Sequence, residues 1–83
     1  MAYRLVYTER AARDIRKLDI VARKRLKKAL EKLLEKPIDH STKLINHRIG
    51  EYRFRVADHR VIFDLIDNDI VVLRVGHRRD IYR

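Results

Sequence analysis

The side chains in this sequence best suited to chemistry are arginines, and they crowd into its last third. From Glu51 the chain reads Glu-Tyr-Arg-Phe-Arg-Val, then Arg-Val-Ile-Phe-Asp-Leu-Ile, then Ile-Val-Val-Leu-Arg-Val, and closes on Gly-His-Arg-Arg-Asp-Ile-Tyr-Arg. A guanidinium is a planar fork that grips a phosphate through paired hydrogen bonds and stays charged at any physiological pH. Arg53, Arg55, Arg60, Arg74 and Arg78 therefore point towards phosphate. Tyr82 and His77 lie among the closing arginines and are the nearby groups able to move a proton.

Something must bring these arginines together, and the spacing says what. Alternate residues of a strand point to opposite faces. Tyr52, Phe54, Val56, Val61, Phe63, Leu65, Val71, Leu73 and Val75 are expected on an apolar face. Arg53, Arg55, Arg60, Asp64 and Arg74 fall on the other, diluted by Ile62, Ile66 and Val72. Like charges crowded on one face of a sheet repel, so the cluster is hard to explain as a stabilising feature. Asp64 is read as structural, partly neutralising Arg53 or Arg74. Ala57-Asp58-His59 and Asp67-Asn68-Asp69 read as tight turns. A three-residue second turn pairs Leu65 with Val71 and Phe63 with Leu73, which keeps Arg74 with the other arginines.

The rest of the chain reads as support for that sheet. Tyr3 to Tyr7 alternates as a short strand. Thr8 suits a helix N-cap and Glu9 the first turn of a helix running to Leu18, with Ala11, Ala12, Ile15 and Leu18 as its apolar stripe. Asp19 caps a second helix extending to Lys36, with Ala22, Leu26, Ala29, Leu30, Leu33 and Leu34 at three- and four-residue steps. Pro37 stops it, because an internal proline removes a hydrogen bond and clashes with the preceding turn. A short extended piece is expected at Lys43-Leu44-Ile45. Tyr3, Tyr7 and Tyr52 are read as core. The expected fold is α+β in two layers, ordered β-α-α-β-β-β, with a helical hairpin on one face of a mostly antiparallel sheet. It forms a single domain, 1–83.

Composition narrows the function class. The formal net charge is +9, and 46% of residues are hydrophobic with only two glycines and one proline. Such a chain folds rather than staying disordered. A compact domain this basic attracts polyanions, nucleic acid first among them. There is no cysteine, which excludes a disulfide framework or thiolate zinc site and fits a reducing cytoplasm. His40, His47 and His59 lack metal-ligand spacing, so no metal is expected. No apolar run approaches the ~20 residues of a membrane span, and the opening residues alternate like a strand, not like a secretion signal.

Gly50-Glu-Tyr-Arg-Phe-Arg-Val, Asp58-His-Arg-Val-Ile-Phe and, above all, Val75-Gly-His-Arg-Arg-Asp-Ile-Tyr-Arg resemble the RelE branch of the RelE/ParE toxins of toxin–antitoxin systems. The resemblance spans nearly the whole chain, and the Gly-His-Arg-Arg-Asp-Ile-Tyr ending is its most specific part. It implies a ribosome-dependent mRNA interferase that enters the ribosomal A site and cuts the messenger without a metal or other cofactor. It also implies a RelB-like antitoxin that wraps the toxin and blocks it. Arg60 and Arg78 match the family's phosphate-stabilising arginines, and Tyr82 the tyrosine that stacks on a base and assists proton transfer. Lys43, Arg48, Arg74, Arg79 and Arg83 are expected to contact RNA.

One departure bears on mechanism. Arg53 and Arg55 stand where the best-known members carry a Lys-x-Lys pair. A buried lysine can be tuned to release its proton near neutral pH, whereas arginine essentially cannot. Proton abstraction is then left to Tyr82 or to His77, whose side chains can carry a proton. Activity weaker than in the lysine-bearing relatives is expected. The alternatives are a ParE-like toxin directed at DNA gyrase, and a catalytically weakened RNA-binding relative. The ParE branch lacks the arginine-and-tyrosine set.

Overall fold

The computed structural model describes residues 3–37, 42–43 and 52–81. Seven elements follow in order: β1 (Arg4–Tyr7), α1 (Glu9–Arg16), α2 (Ile20–Glu35), β2 (Thr42–Lys43), β3 (Tyr52–Val56), β4 (His59–Ile66) and β5 (Asp69–His77). The sheet order is β1-β5-β4-β3-β2. Only the β1–β5 pairing is parallel, so the expected α+β architecture is the one observed.

Both helices begin where their caps predict. The Thr8 side chain accepts from the Ala11 amide at 3.1 Å, and the Asp19 carboxylate from the Ala22 amide at 2.7 Å. Each satisfies a backbone donor that has no partner within the helix. α1 ends at Arg16, short of Leu18, because Asp19 must already be extended to cap α2. Lys17 and Leu18 form the reversal through tight bonds to Asp14 O and Ile15 O. The α2 stripe buries Leu26, Leu30 and Leu33 against Phe54, Val61, Phe63, Ile70, Val72 and Val75 of the sheet. Tyr52 and Phe63 face each other across β3 and β4 and stack with ring centroids 5.4 Å apart. Tyr3 also packs on this core, but Tyr7 does not: it sits at the rim of the helical layer, 43% exposed.

The two hairpin turns are each one residue shorter than expected. Val56 pairs with His59 and Ile66 with Asp69, leaving Ala57-Asp58 and Asp67-Asn68 as two-residue loops. Both loops place their first residue at positive φ, 54° for Ala57 and 55° for Asp67, as two-residue hairpins require. Asp tolerates that conformation, whereas for Ala57 it costs about 1 kcal/mol.

The shorter second turn changes the register. Leu65 pairs with Ile70 and Phe63 with Val72, not with Val71 and Leu73. Ile70 and Val72 therefore face the helices in place of Val71 and Leu73, and Val72 leaves the arginine face. Left uncorrected, that one-residue shift would also swing Arg74 into the core. A β-bulge prevents it. Between Ile62 and Phe63 the ladder slips, Leu73 is left without a partner, and Arg74 returns opposite Ile62. Bulges re-aim side chains in this way.

The bulge is held from the α1 side. Thr8 Oγ1 shares its proton between the carbonyls of Val72 and Leu73, each 3.2 Å away. Beyond Tyr7 the chain has peeled away from β5, leaving that edge without a neighbouring strand. Asp14 fills the gap: its Oδ2 accepts from the Val75 amide at 3.0 Å and from Arg74 Nε at 2.9 Å. At the near end of the same edge, Arg4 pairs with Asp69 at 3.0 Å, and this hydrogen bond and charge hold its already strongly basic guanidinium higher still.

Candidate functional site

On the face turned away from the helices, the ladder sets two cross-strand rows. Arg55, Arg60 and Gly76 form one, and Arg53, Ile62 and Arg74 the next. Phe54 and Val61 point into the core, so their neighbours must point out. Arg53, Arg55, Arg60 and Arg74 thus share one surface.

The environments of these arginines differ. Arg55 is exposed and Arg53 partly so. Arg60 is only 7% exposed, and its Nη1 donates to the carbonyls of Ala57 and His59 at 3.2 and 3.0 Å. Those bonds fold its guanidinium against the β3–β4 turn and fix where its charge sits. Arg74 is paired through Nε with Asp14, not with Asp64.

The closing residues bend back over this same surface. Asp80 N and Ile81 N both donate to the His77 carbonyl, at 2.9 and 3.0 Å, making a tight turn after β5. Arg78 N donates to Asp58 O at 2.9 Å, which ties the turn to the β3–β4 loop. Ile81 is completely buried, and its side chain lies over Gly76. A Cβ at position 76 would stand 3.6 Å from that of Ile81. That is an ordinary van der Waals separation, so Ile81 packs directly on the backbone of Gly76, next to Arg60 in the same row. Arg78 and Arg79 are exposed on the turn.

His77 goes the other way. It follows Val75 on the helix side of β5 and meets His59 edge to face, ring centroids 5.9 Å apart. Its Nδ1 accepts from the Arg79 amide at 3.2 Å. Tyr82, Arg83 and Arg48 lie outside the described residues, as does the side chain of Lys43. Sequence reasoning missed two contributors. Asp14 falls outside the apolar stripe of α1, and its partners lie 60 and 61 residues away. Ile81 looked like part of a motif, not an anchor. An isolated apolar residue after a Gly-initiated basic tail was the available signal.

The arrangement is a sheet backed on one face by a helical hairpin, with arginines on the other face and a basic tail anchored over them. The family model described as the ParE toxin of type II toxin–antitoxin systems matches residues 5–82. The chain belongs to this family, on its RelE branch. The Escherichia coli mRNA interferase toxin RelE is 36% identical over 81 residues, covering 94% of this chain and 85% of that protein, as is the mRNA interferase RelE of Shigella flexneri. Among solved structures, a RelB–RelE toxin–antitoxin complex from Mycobacterium tuberculosis superposes with TM-score 0.84 at 26% identity, covering 94% of this chain and all of that one. The intact RelB–RelE complex of Escherichia coli gives 0.75 at 32% identity, covering 92% and 96%.

Proposed function

We propose that this protein is the toxin of a type II toxin–antitoxin pair and acts as an mRNA interferase, cutting messenger RNA in the ribosomal A site. The observation that carries this reading is the gathering of Arg53, Arg55 and Arg60 on the sheet face turned away from the helices, with the tail anchored over Gly76 beside them. The similarity to RelE, an mRNA interferase by name, points the same way.

The reaction is attack of a ribose 2′-hydroxyl on its own 3′-phosphate. It leaves a 2′,3′-cyclic phosphate on one fragment and a 5′-hydroxyl on the other. It needs a base for the 2′-hydroxyl proton, cations for the pentacovalent phosphate, and an acid for the departing 5′ oxygen. Arg60, fixed by its bonds to the turn, and Arg78, carried on the tail, stabilise the phosphate charge. Arg53 and Arg55 add positive potential but abstract no proton. Tyr82, directly after the anchor Ile81, stacks on a base and transfers a proton. The placement of His77 on the helix side favours Tyr82 over it as the proton carrier. No metal enters this scheme. Lys43, Arg48, Arg79 and Arg83 complete the contacts to mRNA and ribosomal RNA, contacts that orient without reading sequence.

The partner is a RelB-like antitoxin, as in the RelB–RelE complexes that this fold resembles. An acidic segment that folds on this +9 surface fits it by charge. The setting is the cytoplasm, where translating ribosomes are found. Among the described residues no helix is long and apolar enough to cross a membrane.

The test is primer extension on messages from cells expressing the wild type, Arg78→Ala and Tyr82→Ala. Cuts inside translated codons that fade in both variants support the reading. The name of the matching family model keeps a second reading in view, a ParE-like attack on DNA gyrase. Intact messages together with arrested replication and a DNA-damage response would select it.

A further inference from the structure

Asp14 is a carboxylate in an unusual place. It lies on α1, on the opposite side of the molecule's chain order from the arginines, yet it is only 8% exposed. Nothing in the reaction above uses it. A buried carboxylate is costly unless it is paired and hydrogen-bonded, and here both conditions hold. Oδ2 accepts from Val75 N and from Arg74 Nε, while Oδ1 stands 3.6 Å from Arg10 Nε. Both Oδ2 donors come from the two residues after the unpaired Leu73 of the bulge. The bond to Arg74 uses the Nε edge alone. Among the described residues, its two Nη groups carry no bond of their own, and the side chain is 21% exposed. Held on one edge and open at the other, this guanidinium is set to meet an oxyanion with two parallel donors.

We propose that Asp14 is a positioning residue of the arginine face. It acts through Arg74, fixing that guanidinium so that its Nη pair meets the RNA phosphodiester, and it locks the strand beyond the bulge that leads to Arg78. This rests on the nuclease reading above for its substrate, RNA. The asymmetry is chemical: the interaction removed by Asp14→Asn is the charge that orients Arg74, because an asparagine Oδ1 still accepts from the Val75 amide.

The experiment is a double-mutant cycle with wild type, Asp14→Asn, Arg74→Ala and the pair. It is read twice, as affinity for a single-stranded RNA oligonucleotide at fixed salt and as turnover on ribosome-bound message, with melting temperatures measured alongside. Asp14→Asn is expected to weaken oligonucleotide binding and turnover about tenfold in the Arg74 background, and less than about twofold in the Arg74→Ala background. A merely structural role predicts equal losses in both backgrounds and overturns the proposal. So does tighter binding by Asp14→Asn, the result if the carboxylate only dilutes positive charge. If Asp14→Asn melts below the assay temperature, Arg74→Lys makes the cut from the other partner. It keeps the charge but loses the fork, and unchanged binding and turnover would then count against the proposal. A wild type that leaves messages intact sinks the interferase reading, while the oligonucleotide cycle still decides the coupling of Asp14 to Arg74.

Discussion

The two halves of the β4–β5 hairpin are built for different ends. In the near half, Phe63 faces Val72 and Leu65 faces Ile70, and their side chains fill the core under α2. In the far half, past the unpaired Leu73, Ile62 faces Arg74 and Arg60 faces Gly76, and the outward side chains belong to the site. The bulge lets the near half obey its short turn while the far half keeps its own alignment. Val61 and Val75 still fill the core in the far half, so core and site part there by strand face, and each can be damaged separately.

The largest effect is expected in the core. Phe63→Ala attacks the near half alone. It should cost about 3–5 kcal/mol in denaturant unfolding, while the molecules that remain folded cut RNA normally.

Ile81→Ala attacks the far half. The anchor packs over Gly76 and outside the main core cluster, so its loss should free the tail without unfolding the domain. Cleavage is expected to fall at least about tenfold, with a stability change under about 1 kcal/mol. His77→Ala sharpens the contrast between the two sides of β5. With its ring against His59 on the helix side, turnover and its pH profile should match the wild type within about twofold. A changed pH profile would restore His77 to the mechanism. The smallest effect belongs to the β3–β4 turn, where Ala57→Gly relieves a positive φ and should raise stability by up to about 1 kcal/mol.

The hairpin also shows where sequence reasoning stops. Thr8, Asp19 and Pro37 bounded both helices because capping and helix breaking are local, decided within a turn of chain. The α2 stripe was legible for the same reason. Register was not, since Asp67-Asn68-Asp69 supports a two- or a three-residue loop and only packing chooses between them. The expected pairing of Phe63 with Leu73 fails, yet the same alignment holds for Ile62 with Arg74, because a bulge built by Thr8 and Asp14 restores it. Those partners are far away in sequence and leave no periodic trace. Arg53, Arg55 and Arg60 were placed correctly on one face by alternation alone. The burial of Arg60 was not foreseeable, because its guanidinium turns back onto the carbonyls of Ala57 and His59.

The most direct test of the central claim is cleavage by purified toxin on translating ribosomes programmed with a defined message and mapped by primer extension. Wild-type protein should cut within the A-site codon and leave a 2′,3′-cyclic phosphate, with Arg60→Ala slower by about a hundredfold. Uncut message with wild type, or cutting as fast by Arg60→Ala, would contradict the claim that the arginine face performs the reaction.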